Sequence, residues 1–456
     1  MTGKASIARV IALQTLERIF SKRPEKADES LDLLIRQYAV SSRDAALAFE
    51  LVMGVTKNLN LLDFYIEPFL TRKITRTPPV ILHILRMALH QKLNLERIPD
   101  FAIVNESVKL ARQKCGTKAA NFVNAFLRAF LAQEKPRALP PRSQDINRYL
   151  SIRYSFPEWI VGMFRAIMGE HDVEWFMAAS NSTPPIDFRI NPLKTTRADV
   201  VNLLRESGFT KVEETPYSPV GVRVKEAAAL LIKSTGILDN GLVSVQDESA
   251  QLIAYLMEPR PGEKIIDFCA APGGKSTHLA ELSRDSAQIY ALDINESRLQ
   301  LVVENSRRLG LHSITTLPLT AKALYELRDF RADKILVDAP CTALGTLRRN
   351  PEIRWIRKPG DLRRMADIQI DICSRALAHL KPDGVLVYSV CTLSHDETIE
   401  VINNLLAMFP GLMIESPMIY IPGIPADMIS RAGCMVSLTH RHNTDTFFAA
   451  RMRLCK

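Results

Sequence analysis

Residues Ile265 to Thr277 read Ile-Ile-Asp-Phe-Cys-Ala-Ala-Pro-Gly-Gly-Lys-Ser-Thr. The run Lys264 to Phe268 predicts a buried strand. Small residues with one Pro and two Gly then turn the chain into a helix expected over about Ser276 to Leu282. Strand, Gly-rich turn and helix together present backbone N–H groups to a nucleotide-like ligand. Gly-Gly-Lys-Ser-Thr carries the tail of a phosphate-binding loop, but that motif needs Gly where Cys269 stands, and the loop is too short to wrap phosphates. The dinucleotide fingerprint is absent as well. Asp293 ends the next predicted strand, 20 residues after Gly273, where a carboxylate can accept both hydroxyls of a ribose. The plainer alternative for Asp293 is a strand-end or helix-capping residue.

An adenosine without phosphates satisfies this pattern, and S-adenosylmethionine is such a molecule. From about Gly241 onward, strands and helices alternate. Gln288–Leu292, Ser313–Leu317, Lys334–Val337 and Gly384–Ser389 complete a mostly parallel, doubly wound α/β sheet, with Thr446–Met452 as an added antiparallel strand. Upstream, residues 1–135 read as helices throughout. Ile7, Val10, Ile11, Leu16, Ile19 and Phe20 share one helical face, and Leu47, Leu51, Val55 and Leu59 recur every four residues. Further helices are expected over Val80–Leu95, Ala102–Gln113 and Asn121–Ala132. A Pro- and charge-rich linker covers 136–145. Residues 146–236 read as a small α/β module whose pattern fits an RNA-recognition-type sheet or, with its aromatic signature absent, a plain packing domain. Residues 237–456 form the cofactor-binding domain.

A chain of 456 residues holds two or three domains, and its 47% apolar and 24% charged residues are an ordinary globular balance. No apolar run reaches membrane-spanning length, and the N-terminus shows no signal-peptide core, so no membrane partner and a cytoplasmic location are expected. Seven cysteines without a Cys-x-x-Cys pair predict neither a disulfide framework nor a metal site. Reduced thiols are then available for chemistry. A net charge of +9 favours a polyanionic partner.

Two cysteines stand at C-terminal strand ends, the edge where open α/β sheets place ligands: Cys341 in Asp338-Ala339-Pro340-Cys341, and Cys391 in Tyr388-Ser389-Val390-Cys391-Thr392. Ser394-His395-Asp396-Glu397 reads as a capping box opening a helix, which would favour a Cys391 thiolate. A thiol beside a methyl-sulfonium donor suits methylation of a pyrimidine at carbon 5. Addition to carbon 6 makes the ring an enamine, and Asp338 is placed to support the ring at N3. Between Arg348 and Arg364 lie Arg348, Arg349, Arg354, Arg357, Lys358, Arg363 and Arg364, with Trp355 among them. Arg348, Arg349, Arg354 and Trp355 are expected to contact a locally single-stranded RNA.

The stretches Ile-Asp-Phe-Cys-Ala-Ala-Pro-Gly-Gly-Lys, Val-Asp-Ala-Pro-Cys-Thr-Ala-Leu-Gly-Thr and Tyr-Ser-Val-Cys-Thr-Leu-Ser-His-Asp-Glu resemble the Nop2/Sun superfamily of RNA cytosine-5 methyltransferases. Ala-Ile-Val-Asn-Glu-Ser-Val-Lys-Leu-Ala-Arg and Ala-Ala-Asn-Phe-Val-Asn-Ala-Phe-Leu-Arg are similar to the NusB-like domain that marks its bacterial small-subunit methyltransferase B group. The resemblance implies an all-α NusB-like domain, an RRM-like α/β subdomain and a Rossmann-like S-adenosylmethionine-dependent domain. The implied substrate is 16S rRNA, free or in an early assembly intermediate, and a monomer is expected.

The resemblance also implies Cys391 as nucleophile and Cys341 as the thiol that assists release. It places Cys269, Ala270, Ala271, Pro272, Gly273, Gly274, Lys275, Asp293 and Asp338 at the cofactor, with Lys275 near the catalytic Asp338. The family's usual Asp after the third strand is missing from Leu317-Pro318-Leu319-Thr320-Ala321-Lys322. Val390 and Thr446 also replace a usual Thr and Gly. The competing readings are a non-catalytic RNA-binding assembly or antitermination factor, and methylation of another RNA such as tRNA.

Overall fold

Helical spacing in the first part of the chain becomes a bundle in the computed structural model, which describes residues 4–133, 137–225, 232, 235–319 and 329–455. The chain divides into two units, Met1–Asn181 with Arg349–Arg357, and Ser182–Arg348 with Lys358–Lys456. In the first, helices Ile7–Ile19, Ala27–Tyr38, Ser42–Lys57, Leu59–Ile66, Pro79–Asn94, Asp100–Cys115 and Thr117–Leu131 surround one core. Ile11, Leu16, Ile19, Leu51, Val55 and Val123 are buried there, while Val10, Phe20 and Leu47 pack at its margin. Ser41 starts the third helix by accepting from the Asp44 N–H, which satisfies one of the donors a helix start leaves unpaired.

Helices Ile146–Tyr154 and Glu158–Asn181 follow, the second broken at Gly169, where φ is +79°. By compactness they fall in this helical unit, while the module expected over 146–236 includes them. The Asn60 side-chain amide donates to Ser151 Oγ and to the Phe156 carbonyl, both at 3.0 Å. Ser155 Oγ accepts from the Leu61 N–H at 3.1 Å. Residues 134–136 of the expected linker lie outside the described residues.

The second unit holds two sheets. The smaller is antiparallel, ordered β2-β3-β1-β4, from β1 (Ile186–Ile190), β2 (Val212–Glu214), β3 (Gly221–Val224) and β4 (Val243–Val245). Strand β4 lies past the boundary expected at residue 236, because three residues are too few to signal a strand by alternation. The larger sheet comprises β5 (Lys264–Asp267), β6 (Gln288–Asp293), β7 (Ile314–Pro318), β8 (Ala332–Asp338), β9 (Leu380–Val390), β10 (Leu412–Glu415), β11 (Met435–Val436) and β12 (Phe448–Leu454). Its order is β10-β12-β9-β8-β5-β6-β7, with β11 on β12. Strands β5 to β9 are parallel, and β12 runs antiparallel beside β9.

Side chains alternate between two buried layers, as a covered parallel sheet requires. Ile266, Ile335, Val337, Leu386, Tyr388 and Val390 share a core with helices Pro359–Leu377 and Ile399–Met408. Ile265, Leu336, Val385 and Val387 pack with helices Glu248–Met257 and Gly274–Leu282. Among the described residues no single helix is long and apolar enough to cross a membrane.

Arg189 of β1 is wholly buried and ties the small sheet to the helix that follows the Gly-rich turn. Its guanidinium pairs with Glu281 at 2.8 Å and donates to Gln246 Oε1 at 2.7 Å, to Thr277 Oγ1 at 3.0 Å and to the Gly274 carbonyl. Replacing Arg189 by Met should cost about 3–5 kcal/mol, because it leaves the Glu281 charge buried and unpaired. The double change Arg189→Met with Glu281→Leu should recover most of that loss. Urea unfolding midpoints of both variants measure it.

Candidate active site at the carboxyl ends of the parallel strands

Strand β5 ends in Asp267, and the turn Phe268–Gly273 carries a cis Ala271–Pro272 peptide before helix Gly274–Leu282. Gly273 has φ +98°, and a Cβ there would lie 3.0 Å from the Val302 backbone, so both conformation and space demand glycine. At Gly274 an added Cβ would meet only the Gln246 side-chain nitrogen, at 3.8 Å, which leaves room beside the helix start. Asp293 closes the turn from the end of β6. Its carboxylate accepts from the Ala271 N–H at 3.2 Å and the Asn295 N–H at 2.9 Å. Arg298 and Asn305 bind the carbonyls of Ala271 and Pro272.

A carboxylate has about four acceptor positions, so Asp293 keeps two for hydroxyl donors. With the open helix start at Gly274, these residues fit an adenosine-type cofactor. Burial pushes the Cys269 thiol well above the ordinary range. Of the acid-free loop after β7, Thr320, Ala321 and Lys322 lie outside the described residues. Leu319 donates its N–H to the Asp293 carbonyl at 2.9 Å.

The parallel strands bring the second group of residues to the same edge. Asp338 ends β8 opposite Ser389 of β9. Lys275 Nζ donates to Asp338 Oδ2 at 2.6 Å, and Ser389 Oγ donates to Asp338 Oδ1 at 2.7 Å. The Lys275 ammonium also lies 5.2 Å from the Phe447 ring centre. The thiols of Cys341 and Cys391 are 3.3 Å apart and both are partly buried. The Gly345 N–H holds the Cys391 carbonyl at 2.9 Å. A Cβ on Gly345 would stand 2.1 Å from the Thr446 carbonyl oxygen, so this approach is open only to glycine.

Three expectations need correction. The Ser394–Glu397 stretch is a turn, and the next helix starts at Ile399, because the Glu397 carboxylate is drawn to Thr342 instead of capping a helix. Cys391 therefore lacks a helix start beside it. Its hydrogen bond to Cys341, then burial and the charge of Asp338, raise its pKa well above the ordinary thiol value, so it rests as a neutral thiol.

The third concerns the basic stretch. Arg354 is buried in the helical unit, 3.8 Å over the Phe156 ring, and donates to the Ser155 carbonyl at 3.1 Å and Asn181 Oδ1 at 2.8 Å. The Trp355 indole N–H donates to the Thr56 carbonyl at 2.8 Å. Arg348, in the other unit, donates to Asn443 Oδ1 at 2.8 Å and the Thr183 carbonyl at 2.9 Å. The fold thus engages the side chains of Arg348, Arg354 and Trp355. A planar five-donor guanidinium satisfies buried carbonyls as readily as phosphates. Arg349 is half-buried and Lys358 exposed.

The sequence reading gives no role to Asp267 and Ser389, and takes Glu397 only as part of a capping box. Asp267 and Ser389 are polar residues inside apolar strands, and that interruption is the signal they offered. Burial pushes Asp267 up to about 7, the nearby Asp338 charge adding to the rise while the Ser276 hydroxyl at 2.7 Å opposes it.

The sheet order, the Gly-rich turn after its first parallel strand and the acid at the end of the second define a Rossmann-like methyltransferase domain. Family models match residues 254–453 as "16S rRNA methyltransferase RsmB/F", 6–132 as "NusB family" and 156–230 as an RsmF/B-like ferredoxin-like domain. A Bacillus subtilis protein described as "Probable ribosomal RNA small subunit methyltransferase B" is 32% identical, covering 99% of each chain. The Serratia proteamaculans "Ribosomal RNA small subunit methyltransferase B" is also 32% identical, over 81% of this chain and 83% of its own. The structure of NSun6 from Pyrococcus horikoshii with SFG aligns with a TM-score of 0.58 at 25% identity, over 66% of this chain and 99% of that one. The chain belongs to the RsmB/F family of 16S rRNA methyltransferases.

The high pKa of Asp267 has a thermodynamic consequence. Below about pH 4 both folded and unfolded chains hold its proton. As pH rises from about 4 to 7 the unfolded chain releases it and the folded one does not, so stability falls across that window, by roughly 4 kcal/mol in all. In Asp267→Asn this decline should vanish, leaving the variant more stable than the parent at pH 8. Denaturant curves from pH 4.5 to 8 on both proteins measure the difference.

Proposed function

We propose that this protein is an S-adenosylmethionine-dependent methyltransferase that modifies carbon 5 of a cytosine in 16S rRNA. The observation that carries the reading is the pair of thiols 3.3 Å apart beside the Lys275–Asp338 pair, on the same sheet edge as the cofactor turn. Relatives named as small-subunit rRNA methyltransferases support the substrate, and a neighbour solved with SFG, an analogue of S-adenosylmethionine, supports the cofactor.

Cys269 to Lys275, Asp293 and Asp338 would hold S-adenosylmethionine, which supplies an electrophilic methyl group when bound. Asp293 would take the ribose hydroxyls, and the helix start at Gly274 and Lys275 would face the remainder. Cys391 adds through sulfur to carbon 6 of the cytosine while its thiol proton passes, by way of the Asp338 carboxylate, to ring nitrogen N3. Electron density then moves to carbon 5, which becomes nucleophilic. Asp338, paired with Lys275, supports the ring at N3 during addition. After methylation, water takes the carbon-5 proton, the electron pair left behind restores the ring double bond and expels the Cys391 sulfur, which regains the proton held at N3, and Cys341 assists that release. The target base is unpaired or flipped out, since carbon 6 is inaccessible within a stack. Phosphate contacts fall to the exposed Lys358, and binding weakens steeply with salt.

Tritiated methyl transfer to unmodified small-subunit rRNA tests the reading, with no incorporation at saturating cofactor as the overturning result. Cys391→Ala should abolish transfer, whereas Cys341→Ala should accumulate a covalent RNA–protein adduct on a denaturing gel. An adduct formed by Cys391→Ala would show that the nucleophile is another residue. Mapping of 5-methylcytosine in rRNA from cells with and without the protein gives the position.

A further inference from the structure

Cys391 and Cys341 are held in different ways. Cys391 directly follows β9, whose last residue Val390 pairs with Phe448 of β12, and the Gly345 N–H fixes its carbonyl. Cys341 sits three residues past the end of β8, in a loop without a ladder of its own. The thiols nevertheless meet at 3.3 Å.

What anchors the Cys341 loop is a buried carboxylate that the proposed chemistry does not use. Glu397 Oε1 accepts from the Thr342 N–H at 2.7 Å, and Oε2 accepts from the Thr342 hydroxyl at 2.5 Å. The Ser394 hydroxyl donates to Oε2 at 2.9 Å and the Thr392 hydroxyl at 3.4 Å. Gln369 Nε2 binds Glu397 Oε1 at 3.2 Å and the Pro340 carbonyl at 2.9 Å, while Gln369 Oε1 accepts from the Tyr388 hydroxyl. Both residues beside Cys341, and the residue after Cys391, are thus tied to one carboxylate and its amide neighbour. Such a network is costly to bury unless every member is paired. Here its donors come from the two cysteine loops and one helix.

We propose that Glu397 is a positioning residue that holds the Cys341 thiol within reach of Cys391, and so sets the rate of product release. The inference rests on the reaction proposed above for the two thiols. The shorter bonds run to Thr342 and the longer one to Thr392, so loss of the carboxylate displaces Cys341 more than Cys391. Glu397→Gln replaces one acceptor oxygen by an NH2 that faces donors. The resulting protein behaves like one lacking the Cys341 thiol: addition persists and release slows.

Two readouts test this on the full-length chain. In the first, diamide oxidises the two thiols to a Cys341–Cys391 disulfide and is itself reduced to the hydrazine, taking both thiol protons and two electrons. Peptide mapping follows the rate. Glu397→Gln should form this disulfide about tenfold more slowly than the parent, the size expected for losing one charge-assisted hydrogen bond. In the second, methyl transfer should fall by a similar factor while the covalent RNA adduct builds up on a denaturing gel. Thr342→Val, which removes one donor and keeps the shape, should show both effects more weakly, and it decides the matter if Glu397→Gln does not fold. Parent-like cross-linking and turnover in both variants would overturn the proposal. So would a folded variant that loses transfer without accumulating adduct. If the parent itself transfers no methyl group, the functional reading fails, while the cross-linking rates still test the geometry.

Discussion

The Asp338 carboxylate holds the catalytic edge together because its two oxygens are claimed by two different elements. Lys275 reaches it from the helix that starts at the Gly-rich turn, and Ser389 reaches it from β9. Strands β5, β8 and β9 are parallel neighbours, so their carboxyl ends necessarily share an edge. Parallel pairing alone would leave the turn, Asp338 and the cysteines merely close. Lys275 and Ser389 fix their mutual distances, since a partly buried carboxylate is stable only with its donors in place. Displacing Asp338 strands both donors, and displacing either donor leaves the carboxylate short of a partner.

A second set of constraints supports this edge from outside the parallel strands. Arg189, from the small antiparallel sheet, grips the start of the helix that carries Lys275, through the Gly274 carbonyl, Thr277 and Glu281. The small sheet is therefore part of the scaffold of the Gly-rich turn. Burying an arginine is tolerable here because each face of the guanidinium fork meets an acceptor.

Legibility in the sequence followed locality. The Gly-rich turn, the acid ending β6 and the cysteines at strand ends are short-range patterns, each set by neighbours along the chain. Helical spacing around Leu51 and Val55 was equally plain. Arg354, Trp355 and Glu397 were misread because their partners lie far away in sequence: Asn181, Thr56 and Thr342. A basic stretch with one aromatic looks the same whether its donors face water or distant carbonyls. Likewise Ser-x-x-Glu names a capping box only if the glutamate has no better donors, and Thr342 supplies better ones.

Burial decides how the edge is charged. Cys269 and Cys391 are held as neutral thiols, and Asp267 keeps its proton below about pH 7. The Lys275–Asp338 pair is a directional dipole beside those neutral groups. In a partly desolvated site such a pair acts more strongly than it would in water. A neutral pyrimidine ring entering beside it would be polarised along one axis. In the proposed reaction Cys391 would begin protonated, so addition and proton loss from sulfur would have to proceed together. A resting thiol is a weaker target for stray electrophiles and oxidants than a thiolate, and the contact with Cys341 that raises the Cys391 pKa would also place the second thiol where the proposed release needs it.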